Sequence, residues 1–298
     1  MYHSCTLCPR NCKVDRSSDR TGYCGMPETI QVARASLHMW EEPCISGTSG
    51  SGTVFFSGCN LKCVFCQNHT IAIGHKGRSV TSQQLSDLFL TLQSKGAHNI
   101  NLVTPSHYIP GIVKALELSK HNGLTIPIVY NTSGYDSVNS LKLLDGLVDI
   151  YLPDFKYVSS SLSQKYSHAA DYFETAKSAL SEMYRQVGDP IFNDSGELLQ
   201  KGIIVRHLLL PGCLEDSKAV IHYLYTTYRD RIFISIMNQY TPLPHVEAFP
   251  ELNRKVSGAE YDALVDYAID LGVEQGFIQE GDTAEESFIP EFDFTGLL

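Results

Sequence analysis

The chain is short of positive charge. Lysine and arginine number 23 against 33 aspartates and glutamates, a formal net charge of −10, so no basic face for nucleic acid is expected. Long apolar runs are missing too, and none approaches the roughly 20 residues that a membrane span needs. The first residues, Met1-Tyr-His-Ser-Cys5, carry neither a basic segment nor an apolar core, so a secretory leader is not expected. Repeats and low-complexity tracts are absent. These absences point to a cytoplasmic protein that engages neither nucleic acid nor membrane. With 43% hydrophobic and 19% charged residues, the composition is ordinary for a soluble globular chain. Its 298 residues suffice for one large core with a small appendage.

Cysteine, by contrast, is abundant. Nine are present, and all but Cys213 fall in the first quarter of the chain. A core that merely tolerated thiols would scatter them. In a reducing compartment, spaced cysteines bind metal or catalyse more often than they form disulfides.

Residues 1–45 show little apolar periodicity and read as a small module held by Cys5, Cys8, Cys12 and Cys24, with Pro9, Gly22, Gly25 and Pro27 as turn formers. So short a segment buries little core, and a metal staple is the physical expectation. From about residue 52 β-branched and aromatic runs alternate with amphipathic stretches, the pattern of βα units on a parallel sheet. Strands are expected at 53–57, 99–103, 126–130, 149–153, 202–210 and 232–237. Capping boxes at Thr81–Gln84 and Ser257–Glu260 open two helices, further helices are expected near 171–186 and around 220–227, and residues 188–201 read as a hairpin turning at Asp194-Ser-Gly196. Residues 46–298 are therefore expected to form an α/β domain, an open partial (β/α)6 barrel. Chemistry in such a barrel belongs at the C-terminal strand ends, where Thr104, Asn131, Ser133, Asp154, Lys156, Arg206 and Gln239 cluster.

The first of these strand ends runs into Cys59-Asn-Leu-Lys-Cys63-Val-Phe-Cys66. Three thiolates can fill three corners of an iron–sulfur cube and leave one iron without a protein ligand. A vacant position is what catalytic metal sites keep and structural ones close. Three thiols and a water could also hold zinc.

The Cys-x3-Cys-x2-Cys spacing, with Phe65 before the last cysteine, resembles the radical S-adenosylmethionine superfamily. The likeness is greatest to its pyruvate formate-lyase activating enzyme-like branch, of the "activating enzyme 3" type. It is carried by Cys5-Thr-Leu-Cys-Pro-Arg-Asn-Cys12, Trp40-Glu-Glu-Pro-Cys-Ile-Ser-Gly47, residues 52–68, Val129-Tyr-Asn-Thr-Ser-Gly-Tyr135, Asp149-Ile-Tyr-Leu-Pro-Asp-Phe-Lys156, Arg185-Gln-Val-Gly188 and Ile236-Met-Asn-Gln-Tyr240. The resemblance implies a [4Fe-4S] cluster on Cys59, Cys63 and Cys66, with S-adenosylmethionine on the open iron. It also implies reductive cleavage to a 5′-deoxyadenosyl radical that abstracts a hydrogen atom. The implied partner is a glycyl radical enzyme, and an electron donor such as flavodoxin or ferredoxin supplies the reduction. Two other functions stay open: radical modification of a peptide or small molecule, and a non-enzymatic iron–sulfur or zinc protein for electron transfer or sensing.

Carried over by position, Phe65 lies against the adenine. The backbone at Val103 and Thr104 takes the place of a Gly-Gly-Glu segment that holds the methionine amine. Asn131 and Ser133 fall in an Asp-Thr-Asn-Gly-Phe segment, with asparagine for aspartate. Asp154 and Lys156 match an Asp-Leu-Lys segment, although residues two apart on a strand also suit a plain ion pair. Arg206 pairs with the carboxylate of S-adenosylmethionine, a bidentate role suited to guanidinium, or is structural. The N-terminal four thiols suit a second [4Fe-4S] cluster or zinc. His69, His107 and His207 read as structural or solvated, Cys44 as a core or loop residue, and Cys213 as a strand-end thiol facing the mouth.

Overall fold

The computed structural model describes residues 1–74, 76–279 and 290–297. Its strands are β1 (Ile30–His38), β2 (Ser51–Phe56), β3 (Arg78–Val80), β4 (Ile100–Val103), β5 (Ile128–Thr132), β6 (Ile150–Pro153), β7 (Ile191–Phe192), β8 (Leu199–Leu208), β9 (Phe233–Met237) and β10 (Gly276–Ile278). Its α-helices are α1 (Pro43–Ser46), α2 (His69–Ala72), α3 (Ser82–Ser94), α4 (Ile109–His121), α5 (Val138–Leu141), α6 (Ser160–Ser167), α7 (Tyr172–Val187), α8 (Leu214–Tyr228) and α9 (Gly258–Leu271).

The sheet runs β10-β9-β8-β6-β5-β4-β2-β1-β3, with β7 hairpinned onto β8. All pairings from β2 through β10 along this path are parallel, and the six expected strands form its centre. The expected partial barrel is therefore present. Both capping boxes form, with Thr81 and Gln84 opening α3 and Ser257 and Glu260 opening α9. The hairpin closes where the turn residues place it, Asn193 N donating to Leu198 O at 2.9 Å.

No strand is expected before residue 52, yet β1 is there, antiparallel to both β2 and β3. Its residues, Ile-Gln-Val-Ala-Arg-Ala-Ser-Leu-His, include poor strand formers, and a bulge at Val32/Arg34 breaks the alternation. Pairing with β2, rather than propensity, makes it a strand.

Period-2 alternation sorts the barrel strands onto two faces. Along β5, Ile128 and Tyr130 join the main core with Leu85, Phe89 and Leu116 of the covering helices. Val129 faces the other way, into a second cluster with Ile150, Leu152, Ile204 and two α1 residues, Cys44 and Ile45. Short α1, stopped at Gly47, thus seats Cys44 and Ile45 against the inner face. The next inward positions along β5, β6 and β8 are Asn131, Asp154 and Arg206, and these line a cavity.

Candidate functional site

The cavity is about 230 Å³. Cys59, Cys63 and Cys66 line it, together with Phe65, Thr104, Asn131, Ser133, Asp154, Lys156, Arg206 and Gln239. Every barrel residue singled out from sequence for cofactor binding is therefore gathered in one place. The four N-terminal cysteines are not in this lining, nor is Cys213, which occupies the N-cap position of α8 without a side-chain capping bond. Gly212, at φ +76°, turns the chain into that helix.

The three-thiol loop is held by its backbone and by neighbours. Gly58, at φ +88°, leads into it, and a Cβ there would lie 2.9 Å from the carbonyl oxygen of Cys24. Only glycine lets the N-terminal module sit this close. Leu61 N donates to Cys59 Sγ at 3.4 Å, and Ser167 Oγ donates to Cys63 Sγ at 3.0 Å. Burial pushes the Cys63 thiol up to about 11 and Cys66 higher still, with the sulfurs repelling one another's charge while Lys156 favours it. Such thiols ionise when a metal takes the proton's place. Soft donors crowded in a cavity with a cation beside them fit an iron–sulfur cluster.

Above the thiols stands a charged network. Lys156 Nζ meets Asp154 Oδ2 at 2.6 Å and lies 5.9 Å from the centre of the Phe65 ring. Burial works against the Lys156 charge, yet Asp154 and Cys63 hold it above the ordinary lysine range. The ion pair read from the two-residue spacing thus exists, and both partners also face the cavity. Arg206 Nη2 donates to Asn131 Oδ1 at 2.6 Å and Nη1 to Glu41 Oε2 at 2.8 Å. Its Nε stands 3.6 Å from Asp154 and, though buried, has no hydrogen-bond partner. This buried orphan donor is available to an incoming acceptor such as a carboxylate.

Glu41 is the partner that sequence reasoning missed. Its Oε1 accepts from Asn101 Nδ2 at 2.8 Å, so one carboxylate links the β1–α1 segment to both β4 and β8. The available signals were the adjacent pair Glu41-Glu42 before Pro43 and its place in Trp40–Gly47, a stretch that carries the resemblance but has no periodicity. His38 and Trp40 line the same cavity. Thr104 ends β4 at φ +59° and donates its N–H to Asn131 O at 2.9 Å. A β-branched residue in that region is a strained outlier. The left-handed turn is one that glycine would take freely.

The three histidines singled out from the sequence, His69, His107 and His207, lie outside the cavity lining. His107 Nε2 donates to Ser57 O and His207 Nδ1 to Phe155 O, both at 2.7 Å, while His69 stacks on His245 at 4.4 Å.

In the N-terminal module Cys5, Cys8 and Cys24 are buried and Cys12 partly so. Cys5 exchanges backbone hydrogen bonds with Lys13 and Val14, and a turn joins Cys8 to Asn11. Burial raises Cys8 to about 12, with Cys24, Cys5 and Cys12 adding to the rise. Buried Arg16 places Nη1 3.7 Å from Cys5 Sγ. The four thiols lie within electrostatic reach of one another. Among the described residues no three potential ligands converge on the spacing of a single ion. A cube, in which each thiolate takes a different iron, spreads its ligands wider.

Comparison with known proteins agrees with this geometry. The chain is 28% identical over 278 residues to an uncharacterized protein of Methanocaldococcus jannaschii, covering 90% of this chain and 75% of that one. The fold is that of SuiB from Streptococcus suis, solved bound to S-adenosylmethionine (14% identity, TM-score 0.51, 75% of this chain, 48% of SuiB). SuiB bound to its precursor peptide SuiA gives the same TM-score at 13% identity, covering 76% of this chain and 47% of SuiB. The chain thus spans about half the length of these solved structures. Residues 53–189, which begin in β2 and carry the three-thiol loop, match the family described as the Radical SAM superfamily.

Proposed function

We propose that this protein is a radical S-adenosylmethionine enzyme whose product radical abstracts a hydrogen atom from a partner macromolecule. The carrying observation is the convergence of Cys59, Cys63 and Cys66 with Phe65, Lys156, Asp154 and Arg206 in one cavity. In this reading the three thiols hold a [4Fe-4S] cluster with an open corner, which with S-adenosylmethionine supplies a 5′-deoxyadenosyl radical on one-electron reduction.

The chain's own groups do the rest. Arg206, with its free Nε, offers a charged donor to the methionine carboxylate. The backbone at Thr104 and the carbonyls beside it receive the amine, and Phe65 packs on the adenine. Lys156 and Asp154, as a neutral pair, leave the sulfonium without a strong field of either sign. Apolar walls, buried Val103 and half-buried Leu208 among them, limit water at the reacting centre.

The target we favour is a glycine Cα in a glycyl radical enzyme, on the strength of the activating-enzyme motifs. A low-potential flavodoxin or ferredoxin in the cytoplasm is the fitting donor. No described helix is long and apolar enough to cross a membrane. A peptide substrate is the second reading, because SuiB, which shares the fold, was solved with a precursor peptide. At the N-terminal thiols we propose a second cluster over zinc, because no three described ligands there converge as a single ion requires.

The test is anaerobic reconstitution with iron and sulfide, then assay of 5′-deoxyadenosine on reduction with S-adenosylmethionine. Product from the wild type and none from Cys63→Ala is expected. No product from the wild type would leave the electron-transfer or sensing reading, and a glycine-centred radical in a co-incubated partner would separate the activase from a peptide modifier.

A further inference from the structure

We propose that the N-terminal cysteine module is a metal-dependent clamp on the three-thiol loop, acting through Arg10. The proposal rests on reading that loop as a cluster site. Arg10 lies between Cys8 and Cys12 in a turn closed by Asn11 N donating to Cys8 O at 3.0 Å, with Asn11 at φ +43°. Its three hydrogen-bond partners all lie outside the module. Nε donates to Asn60 O at 2.8 Å, Nη1 to His168 O at 2.5 Å and Nη2 to Ser167 O at 3.2 Å. Asn60 directly follows Cys59, and Ser167 is the residue whose hydroxyl donates to Cys63 Sγ. One guanidinium therefore grips the loop beside its first thiol and the residue that hydrogen-bonds its second.

The grip is reinforced on both sides. The Arg10 guanidinium lies 4.1 Å from the centre of the Tyr23 ring and 5.1 Å from that of Tyr135. Tyr23, the neighbour of Cys24, donates its hydroxyl to Leu61 O at 3.2 Å, and Tyr135 O accepts from Asn60 Nδ2 at 2.7 Å. Three carbonyls in different directions need the planar five-donor fork of arginine, which an ammonium cannot reproduce.

The coupling follows from what holds Arg10 in turn. The Cys8–Cys12 turn has almost no apolar core of its own, so a metal on Cys5, Cys8, Cys12 and Cys24 is what would fix it. Emptying that site frees Arg10, and the hydrogen bonding around Cys59 and Cys63 relaxes. Hydrogen bonds to cluster sulfurs are one of the levers that set reduction potential.

The experiment uses the full chain reconstituted anaerobically with iron and sulfide. The midpoint potential and EPR signal of the cluster on Cys59, Cys63 and Cys66 are measured in wild type, Arg10→Ala, Arg10→Lys, Cys8→Ser and the Arg10→Ala/Cys8→Ser double variant. Cys63→Ala identifies which signal belongs to which site and reports the metal content of the other. Each of Arg10→Ala and Cys8→Ser is expected to move the one-electron equilibrium about tenfold, or 59 mV. The double variant moves it no further than the larger single change, and Arg10→Lys fails to restore it. Additive shifts, an unmoved signal in Arg10→Ala, restoration by lysine, or no metal on the N-terminal thiols would each overturn the clamp. A wild type that assembles no cluster at the three thiols overturns the underlying reading and the clamp together.

Discussion

Arg206 and Glu41 stand 165 residues apart in the chain and meet at 2.8 Å inside the barrel. Their side chains are only 14% and 7% exposed. Breaking a buried pair costs about 3–5 kcal/mol when the remaining charge is left alone, and here Asp154, 3.6 Å from Arg206, places the loss at the low end of that range. Glu41→Ala is expected to lower unfolding free energy by about 3 kcal/mol in urea titrations. Glu41→Gln loses less, because its amide oxygen still accepts from the guanidinium. A loss in Glu41→Ala under about 1 kcal/mol would show that the pair does not frame the cavity.

Ser167 offers a cleaner probe of the thiol site, since its hydroxyl donates to Cys63 Sγ at 3.0 Å. A donor to a ligating sulfur favours the reduced, more negative cluster. Ser167→Ala is expected to lower the midpoint of the reconstituted cluster by ~20–60 mV without changing its iron content. Redox titration followed by EPR reads both quantities, and an upward shift would contradict the bond.

How far the sequence carries is visible in these residues. The thiol loop, the six barrel strands and the strand-end polar residues were legible because period-2 alternation and ligand spacing are local properties. Cys59, Asn131, Asp154 and Arg206 needed only the right strand boundaries to be placed together. Glu41 was not legible, because its role depends on α1 folding back against the inner face of the sheet, a contact that no local pattern encodes. β1 escaped for a related reason, since a bulge and poor formers hide a strand made by its partner. Cys213, expected at the mouth, is outside the cavity lining and stands at the N-cap position of α8 without a side-chain capping bond.

Thr104 stores strain at the site. A β-branched residue at φ +59° pays roughly 1–2 kcal/mol that glycine does not. Thr104→Gly is expected to stabilise the protein by about 1 kcal/mol, after the entropic cost of glycine in the unfolded chain. Chemical denaturation at fixed pH measures it. A destabilisation instead would show that the threonine side chain contributes more by packing in the cavity wall than the backbone loses.

Acid sensitivity follows from His107 and His207. Both are about 1% exposed. Each has one ring nitrogen donating to a backbone carbonyl and the other buried without a partner, Nδ1 in His107 and Nε2 in His207. Burial is the main force pushing their pKa values down, to about 3 for His107, with Arg16 adding to it, and to about 4 for His207. The unfolded chain titrates near 6.5. A folded value below the unfolded one means that the unfolded state binds more protons as pH falls. The stability is therefore fully present above pH 6.5 and is lost between there and the folded values. On the order of 2 kcal/mol per histidine is expected to be lost by pH 5. Urea unfolding at pH 7 and pH 5 measures the total. In His207→Gln, whose amide can still donate to Phe155 O, the difference between the two pH values should shrink by about half. An unchanged difference would mean that His207 is protonated in the folded protein already.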